Sequence, residues 1–119
     1  KTRYLLGLPF VTISINNKEN EVIVDTGFNW ALSLPQTSID KLQLKRIGSA
    51  QYVMADGTLS NSSIYLAEVN WFNEKKEVSV ISSSSEFGLL GMELLFRVKT
   101  TLEPTKNTLI IEPSFPKLL

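Results

Sequence analysis

The 119-residue sequence contains no histidine and no cysteine. Without histidine there is no Ser-His-Asp or Cys-His nucleophile system. Without cysteine there is no thiol chemistry, no disulfide and no thiolate metal site, and zinc would have to rely on carboxylates alone. Acid-base work therefore falls to Asp, Glu, Lys and Tyr, and neither metal nor cofactor is expected. A chain without thiols suits either side of a membrane; a cytoplasmic location is the expectation. Neither sign of charge is in excess, with 12 basic and 12 acidic residues, which argues against a nucleic-acid binder. Long apolar runs are missing as well. Glu93 and Arg97 break the most apolar stretch, residues 89–98, so no membrane insertion is expected. Residues 5–11, interrupted by Pro9, are too short for a signal peptide.

What is present is a chain 43% hydrophobic and 20% charged, enough for one core and hence a single domain over residues 1–119. Its texture is short β segments with turn signals between them. Val11, Ile13 and Ile15 alternate with Thr12 and Ser14 in a half-buried strand ending at Asn16-Asn17. Residues 21–24 form a brief apolar strand running into Asp25, and residues 31–34 another, stopped by Pro35. Thr37 or Ser38 is expected to cap a short helix through Leu42. Residues 51–54 and 59 onward read as a hairpin around Asp56-Gly57, a pair suited to the positive φ of a tight turn. A second hairpin pairs residues 64–71 with 77–81 around residues 73–75. Residues 82–85 read as a polar loop, 92–97 as a second helix, and 98–102 and 108–111 as closing strands. Strands of this number and length predict an all-β fold, a small closed or partly closed barrel.

Only three aspartates occur, at 25, 40 and 56. Asp56 falls in the hairpin turn and Asp40 on the polar helix, which explains both. Asp25 follows Val22-Ile23-Val24 and precedes Thr26-Gly27, so an apolar strand delivers a carboxylate onto a tight turn. Burying a lone carboxylate is costly unless it is paired. A turn-forming Asp at a strand end is the ordinary alternative.

Further on, Phe87-Gly88-Leu89-Leu90-Gly91-Met92 reads as an apolar strand, a glycine and a helix start. Asp-Thr-Gly after an apolar strand, a hairpin tipped by Asp-Gly some thirty residues later and this apolar-apolar-Gly segment form an ordered trio. That order resembles the retroviral-type (retropepsin-like) aspartic proteases over most of the chain. Residues 24–28, followed by Leu32-Ser33-Leu34-Pro35, are most similar to the small prokaryotic single-domain members.

The resemblance implies a small barrel with one or two short helices and an aspartic endopeptidase in which Asp25 is catalytic. With one Asp-Thr-Gly per chain, it implies a twofold homodimer with a peptide or protein substrate on the axis. Thr26 and Gly27 would support the catalytic loop. Tyr52, Val53, Met54, Ala55, Asp56 and Gly57 would belong to a flap, expected to have unsatisfied polar groups at its tip. Leu89, Leu90 and Gly91 would pack beneath the loop and line the substrate pockets. Apolar contacts and the terminal strands, residues 2–6 and 108–111, would hold the dimer. Viral members also carry an Asp and a later Arg that pair; here Asn29 and Met92-Glu93 stand in that region, so the ion pair is absent. Phe28 and Trp30 add bulk that would narrow the cleft, pack in the core or join the dimer contact. The rival readings are a retropepsin-like domain that binds peptide or dimerises without cleaving, and a plain β-barrel binding module in which Asp25-Thr26-Gly27 is only a turn.

Overall fold

Two pairs of residues in the left-handed region set the hairpins. Asn16 and Asn17 have φ of 47° and 66°, the backbone that joins two antiparallel strands through a two-residue turn. They connect β2 (Leu8–Ile15) to β3 (Lys18–Val24), with Ile15 opposite Lys18. Phe72 and Asn73, at 51° and 65°, connect β6 (Leu59–Trp71) to β7 (Glu74–Ser83) in the same way. The computed structural model of the chain describes residues 2–5, 8–53 and 55–113; the side chains of residues 2–5 and 52 also lie outside the description.

The remaining elements are β1 (Thr2–Leu5), β4 (Leu32–Pro35), α1 (Gln36–Leu42), β5 (Lys45–Val53), β8 (Gly88–Leu90), α2 (Met92–Leu95), β9 (Val98–Glu103) and β10 (Thr108–Pro113). A single 3-10 turn, Pro104–Lys106, links the last two strands. Eight strands follow the order β1-β2-β3-β8-β4-β7-β6-β5, and β9 pairs with β10 alone. A further pairing, Ser14 opposite Asn70 and Ile15 opposite Val69, joins β2 to β6 and brings the sheet back on itself. Asn16 extends that seam. Its N–H donates to the Glu68 carbonyl, and its side-chain Oδ1 accepts from the Glu68 N–H, both at 2.8 Å.

Alternation along β2 follows the pleat. Val11, Ile13 and Ile15 are buried while Thr12 and Ser14 are only half-buried. Facing them are Val22, Leu32, Leu34, Val69, Val80 and Leu90, all essentially without solvent contact. Each fully buried aliphatic side chain contributes about 1.5–3 kcal/mol relative to an exposed one. The three-residue β8 sits at the centre of this core. It runs parallel to β3 and antiparallel to β4, with Leu90 opposite both Val24 and Leu32.

Several sequence expectations are corrected. Thr37 and Ser38 do not cap α1; they lie inside it, because Pro35 ends β4 with φ −59° and already occupies the cap position. Ser82 and Ser83 are not loop residues but the end of β7, paired in parallel with Leu34 and Pro35. The turn of the second hairpin comes earlier than residues 73–75, since Phe72 and Asn73 take the two left-handed positions. The second helix stops at Leu95 rather than residue 97.

The Asn16 seam is directly testable. Asn16→Ala removes a hydrogen bond to backbone and a residue suited to positive φ, and is expected to lower unfolding stability by about 1–2 kcal/mol. Urea denaturation checks this. An unchanged midpoint would remove the seam from the account.

Candidate active site

The segment from Asp25 to Ala31 leaves β3 and returns to the sheet as β4. Its first residue is tied to the core, because the Asp25 N–H donates to the Leu90 carbonyl at 2.9 Å. The Asp25 carbonyl accepts from the Phe28 N–H at 3.2 Å, closing a turn. Within it, Oδ1 of Asp25 accepts from the Gly27 N–H at 2.9 Å. The carboxylate is half-buried, while Thr26 and Gly27 are exposed. No other side chain among the described residues bonds to this carboxylate. Asp25 is thus a turn former and also a presented acid.

Gly91 lies buried beneath this loop. Its N–H donates to the Ala31 carbonyl at 3.0 Å, and the next N–H, of Met92, donates to the Phe28 carbonyl at 2.7 Å. A Cβ at Gly91 would collide with the Trp30 carbonyl and stand 2.5 Å from that of Phe28. Hydrogen is the only substituent that lets the two segments close to this distance. The structure therefore brings the Asp-Thr-Gly and Leu-Leu-Gly segments together. Leu90 differs from its expected pocket role: its side chain is fully buried in the core and its carbonyl holds Asp25. Leu89, half-buried, is the one that faces an open cleft.

The β5–β6 hairpin projects the expected flap residues. Val53 pairs with Leu59 as the hairpin's last described pair, and Ala55 and Asp56 lie in the turn beyond it. Gly57, at φ 86°, is the left-handed residue there. Ala55, Asp56 and Gly57 are exposed; Tyr52 pairs with Ser60, and Met54 lies outside the described residues. The Asp56 side chain, expected to be unsatisfied at the tip, is bonded within the turn. Oδ1 of Asp56 accepts from the Thr58 hydroxyl at 2.6 Å and from the Thr58 N–H at 3.0 Å. These two bonds, the hydroxyl's foremost, hold the Asp56 carboxyl below its ordinary range. Val53 and Leu59 at the hairpin's neck are 67% and 63% exposed.

A cleft of about 350 Å³ lies among the loop, the flap and β7. Phe28, Trp30, Val53, Ile81 and Leu89 form its apolar sides. Ser33, Ser82, Ser83 and Asn29 supply its polar part. Phe28 and Trp30 thus belong to the cleft wall, which the sequence left undecided. The serines and Ile81 were missed as site residues. One signal for Ser33 was available: it is the polar residue between Leu32 and Leu34, and alternation sends it to the opposite face of β4. For Ile81 to Ser83 there was no local signal, because their position depends on the parallel pairing with β4.

A folded-state carboxyl held below its ordinary range stabilises the turn above the unfolded-state pKa, and that contribution is lost as pH falls through the folded value. The Thr58 amide resonance should therefore titrate with a midpoint below that of an ordinary Asp, and not at all in Asp56→Ala. NMR titration reads this directly; an ordinary midpoint would contradict the bonded turn.

Residues 11–97 match the family described as gag-polyprotein putative aspartyl protease. No curated protein matches. Among solved structures, a retropepsin-like aspartic protease from Rickettsia conorii is similar with a TM-score of 0.72 and 25% identity, over 94% of this chain and 87% of that one. The EIAV protease complexed with the inhibitor HBY-793 has a TM-score of 0.65 and 16% identity, over 78% and 90%. The simian foamy virus protease has a TM-score of 0.56 and 15% identity, over 72% and 90%. No helix among the described residues is long and apolar enough to cross a membrane. With this match spanning the Asp25 loop, the flap and the β8 segment, the chain belongs to the gag-polyprotein putative aspartyl protease family and has a retropepsin-like fold.

Proposed function

We propose that the chain is one half of a homodimeric aspartic endopeptidase in which Asp25 of each copy meets on the twofold axis. The observation that carries this reading is a half-buried Asp25, clamped at its backbone to β8 and bonded by no other side chain among the described residues. The other two aspartates are engaged elsewhere: Asp40 accepts from Gln36 Nε2 on α1, and Asp56 from Thr58 in the flap. One chain therefore provides one acid, and the second comes from another copy.

Two carboxylates about 4 Å apart repel by about 4 kcal/mol at an effective dielectric near 20. By linkage this separates their protonation steps by about three pKa units. One proton then stays on the pair over a wide pH range. The ionised member takes a proton from water, which attacks the peptide carbonyl; the protonated member donates to the carbonyl oxygen. Neither a covalent intermediate nor histidine is needed. Thr26 and Gly27 support the loop, with Gly27 leaving room for substrate backbone. The hairpin carrying Tyr52, Val53, Met54, Ala55, Asp56 and Gly57 closes over the peptide and excludes water. Leu89 contacts the substrate, and Gly91 keeps the loop seated.

Exposed apolar side chains on an isolated chain, among them Phe96, Leu102 and Ile110, support association with a second copy. The rival, a domain that binds peptide without cleaving it, draws its support from the exposed Glu93, which stands where the viral proteins carry a basic residue, and from the bulk of Trp30 in the loop.

Asp25→Asn keeps the shape of the side chain and its Oδ1 acceptor for Gly27 but removes the charge and the shared proton. Hydrolysis of a peptide library is expected to fall by about a thousandfold or more, with the circular dichroism spectrum and sedimentation profile unchanged. Near-normal turnover in the variant would refute the catalytic role.

A further inference from the structure

Phe72 occupies a backbone position that disfavours it, and we infer that its ring builds a second docking site, outside the Asp25 cleft, for the polypeptide held at Asp25. The site takes one aromatic side chain flanked by residues of opposite charge. The inference rests on the Asp25 face being a peptide-binding surface, whether or not the peptide is cut.

The cost of the position is visible within the molecule. The β2–β3 turn places Asn16 and Asn17 in the left-handed region at φ 47° and 66°, and the β6–β7 turn places Phe72 and Asn73 there at 51° and 65°. Asparagine enters that region readily, whereas a bulky side chain does so with strain. Core packing does not account for the choice. Trp71 and Val98 pack against the core, and Phe72 is not among the side chains that do. Its half-buried ring instead meets the Trp71 ring edge-on, centroids 4.9 Å apart and planes at 73°.

Both rings line two cavities. One, of about 250 Å³, is bounded by Thr12, Ser14 and Ile111. The other, of about 390 Å³, lies between the β6–β7 turn and the segment running from α2 into β9. The larger has room for one large side chain and its backbone. Leu94 and Val98 complete its apolar lining. Glu74 and Lys76 stand on the β7 wall, Glu93 and Arg97 on the opposite one, so each wall carries one acid and one base. None of the four is ion-paired with another described residue. Free charges of both signs suit an aromatic residue with a basic neighbour on one side and an acidic one on the other. A segment of a single sign would meet like charge on both walls.

Continuity identifies the occupant as the chain held at Asp25. Asn29 lines the Asp25 cleft and also an open cavity of about 350 Å³ bounded by Met92 and Glu93. Glu93 and Phe96 line that cavity and the one at Phe72. Through these shared walls the cleft opens onto a path that ends at the Trp71 and Phe72 rings. Phe96 also stands among the side chains offered to a second copy, so the test rests on Phe72.

Three peptides are compared on Asp25→Asn. An octapeptide with a reduced, uncleavable central bond addresses the cleft, and Gly-Lys-Phe-Glu-Gly, blocked at both ends, addresses the second site. The third joins the two, at either end, through Gly-Ser spacers spanning up to the molecule's 36 Å long axis. By calorimetry the joined peptide should bind about a hundredfold more tightly than the octapeptide at the best spacer. Phe72→Asn should abolish that gain and the binding of the short peptide, with the urea midpoint unchanged or raised; Phe72→Gly should behave alike. Changing the peptide's Phe to Ala, or its Lys to Glu, should also remove the gain. No gain at any spacer, a gain that survives Phe72→Asn, or displacement of the short peptide by the octapeptide would overturn the inference. A lowered urea midpoint in both Phe72 variants would assign the ring to packing and overturn it too. If the octapeptide does not bind but the short peptide binds through Phe72, the Asp25 reading falls and the second site stands as a peptide site of its own. Hydrolysis of the matching amide by the unmodified chain is scored separately and decides only the endopeptidase.

Discussion

The seating of a seven-residue loop on a three-residue strand is the constraint on which the site depends. β8 is inserted between β3 and β4, so it fixes the strand that leads into the Asp25 loop and the strand that leads out of it. Leu90 serves both purposes, with its side chain in the core and its carbonyl on the Asp25 N–H. Gly91 then passes under the loop at a distance that only hydrogen permits. Core packing energy is thereby transmitted to the carboxylate's position. Preorganised acids need this kind of backing, because misplacement by about 1 Å can cost a hundredfold in rate.

The same loop leaves the carboxylate half open in one chain, and this links fold to assembly. A fully enclosed Asp25 would have needed a partner within the subunit, and none of the described side chains provides one. The proposed site on a symmetry axis resolves the problem by making a second copy supply the neighbour. The apolar necks of the hairpin, Val53 and Leu59, fit the same economy, since their exposure is relieved only when something lies against them.

The parts legible in the sequence are those governed by local chemistry. Alternation in residues 11–15 identified β2, the paired asparagines marked its turn, and Asp-Thr-Gly after three apolar residues marked the loop. The trio of segments was enough to indicate the retropepsin-like fold. What escaped was set by long-range pairing or by a competing local preference. Ser82 and Ser83 look like loop residues until β4 supplies a parallel neighbour. Phe72 is an unfavourable choice for a left-handed turn, and its edge contact with the Trp71 ring, centroids 4.9 Å apart, accompanies that placement. Thr58 was overlooked as the partner of Asp56 because the Asp-Gly pair was explained by its backbone alone, although an Asp side chain readily bonds the residue two further on. The cleft wall was the hardest to read, since Phe28, Trp30 and Ile81 meet only once β4 and β7 are side by side.

Subunit mixing tests the central claim, that each copy contributes one of two required carboxylates. Unmodified chain and Asp25→Asn are combined at constant total concentration, exchanged to equilibrium, and assayed as the fraction of unmodified chain is varied. If a site needs both acids and the subunits pair at random, activity follows the square of that fraction, about one quarter of maximal at an equal mixture. Activity that instead falls in direct proportion to the fraction, about one half at the same point, would mean that a single chain carries a complete site.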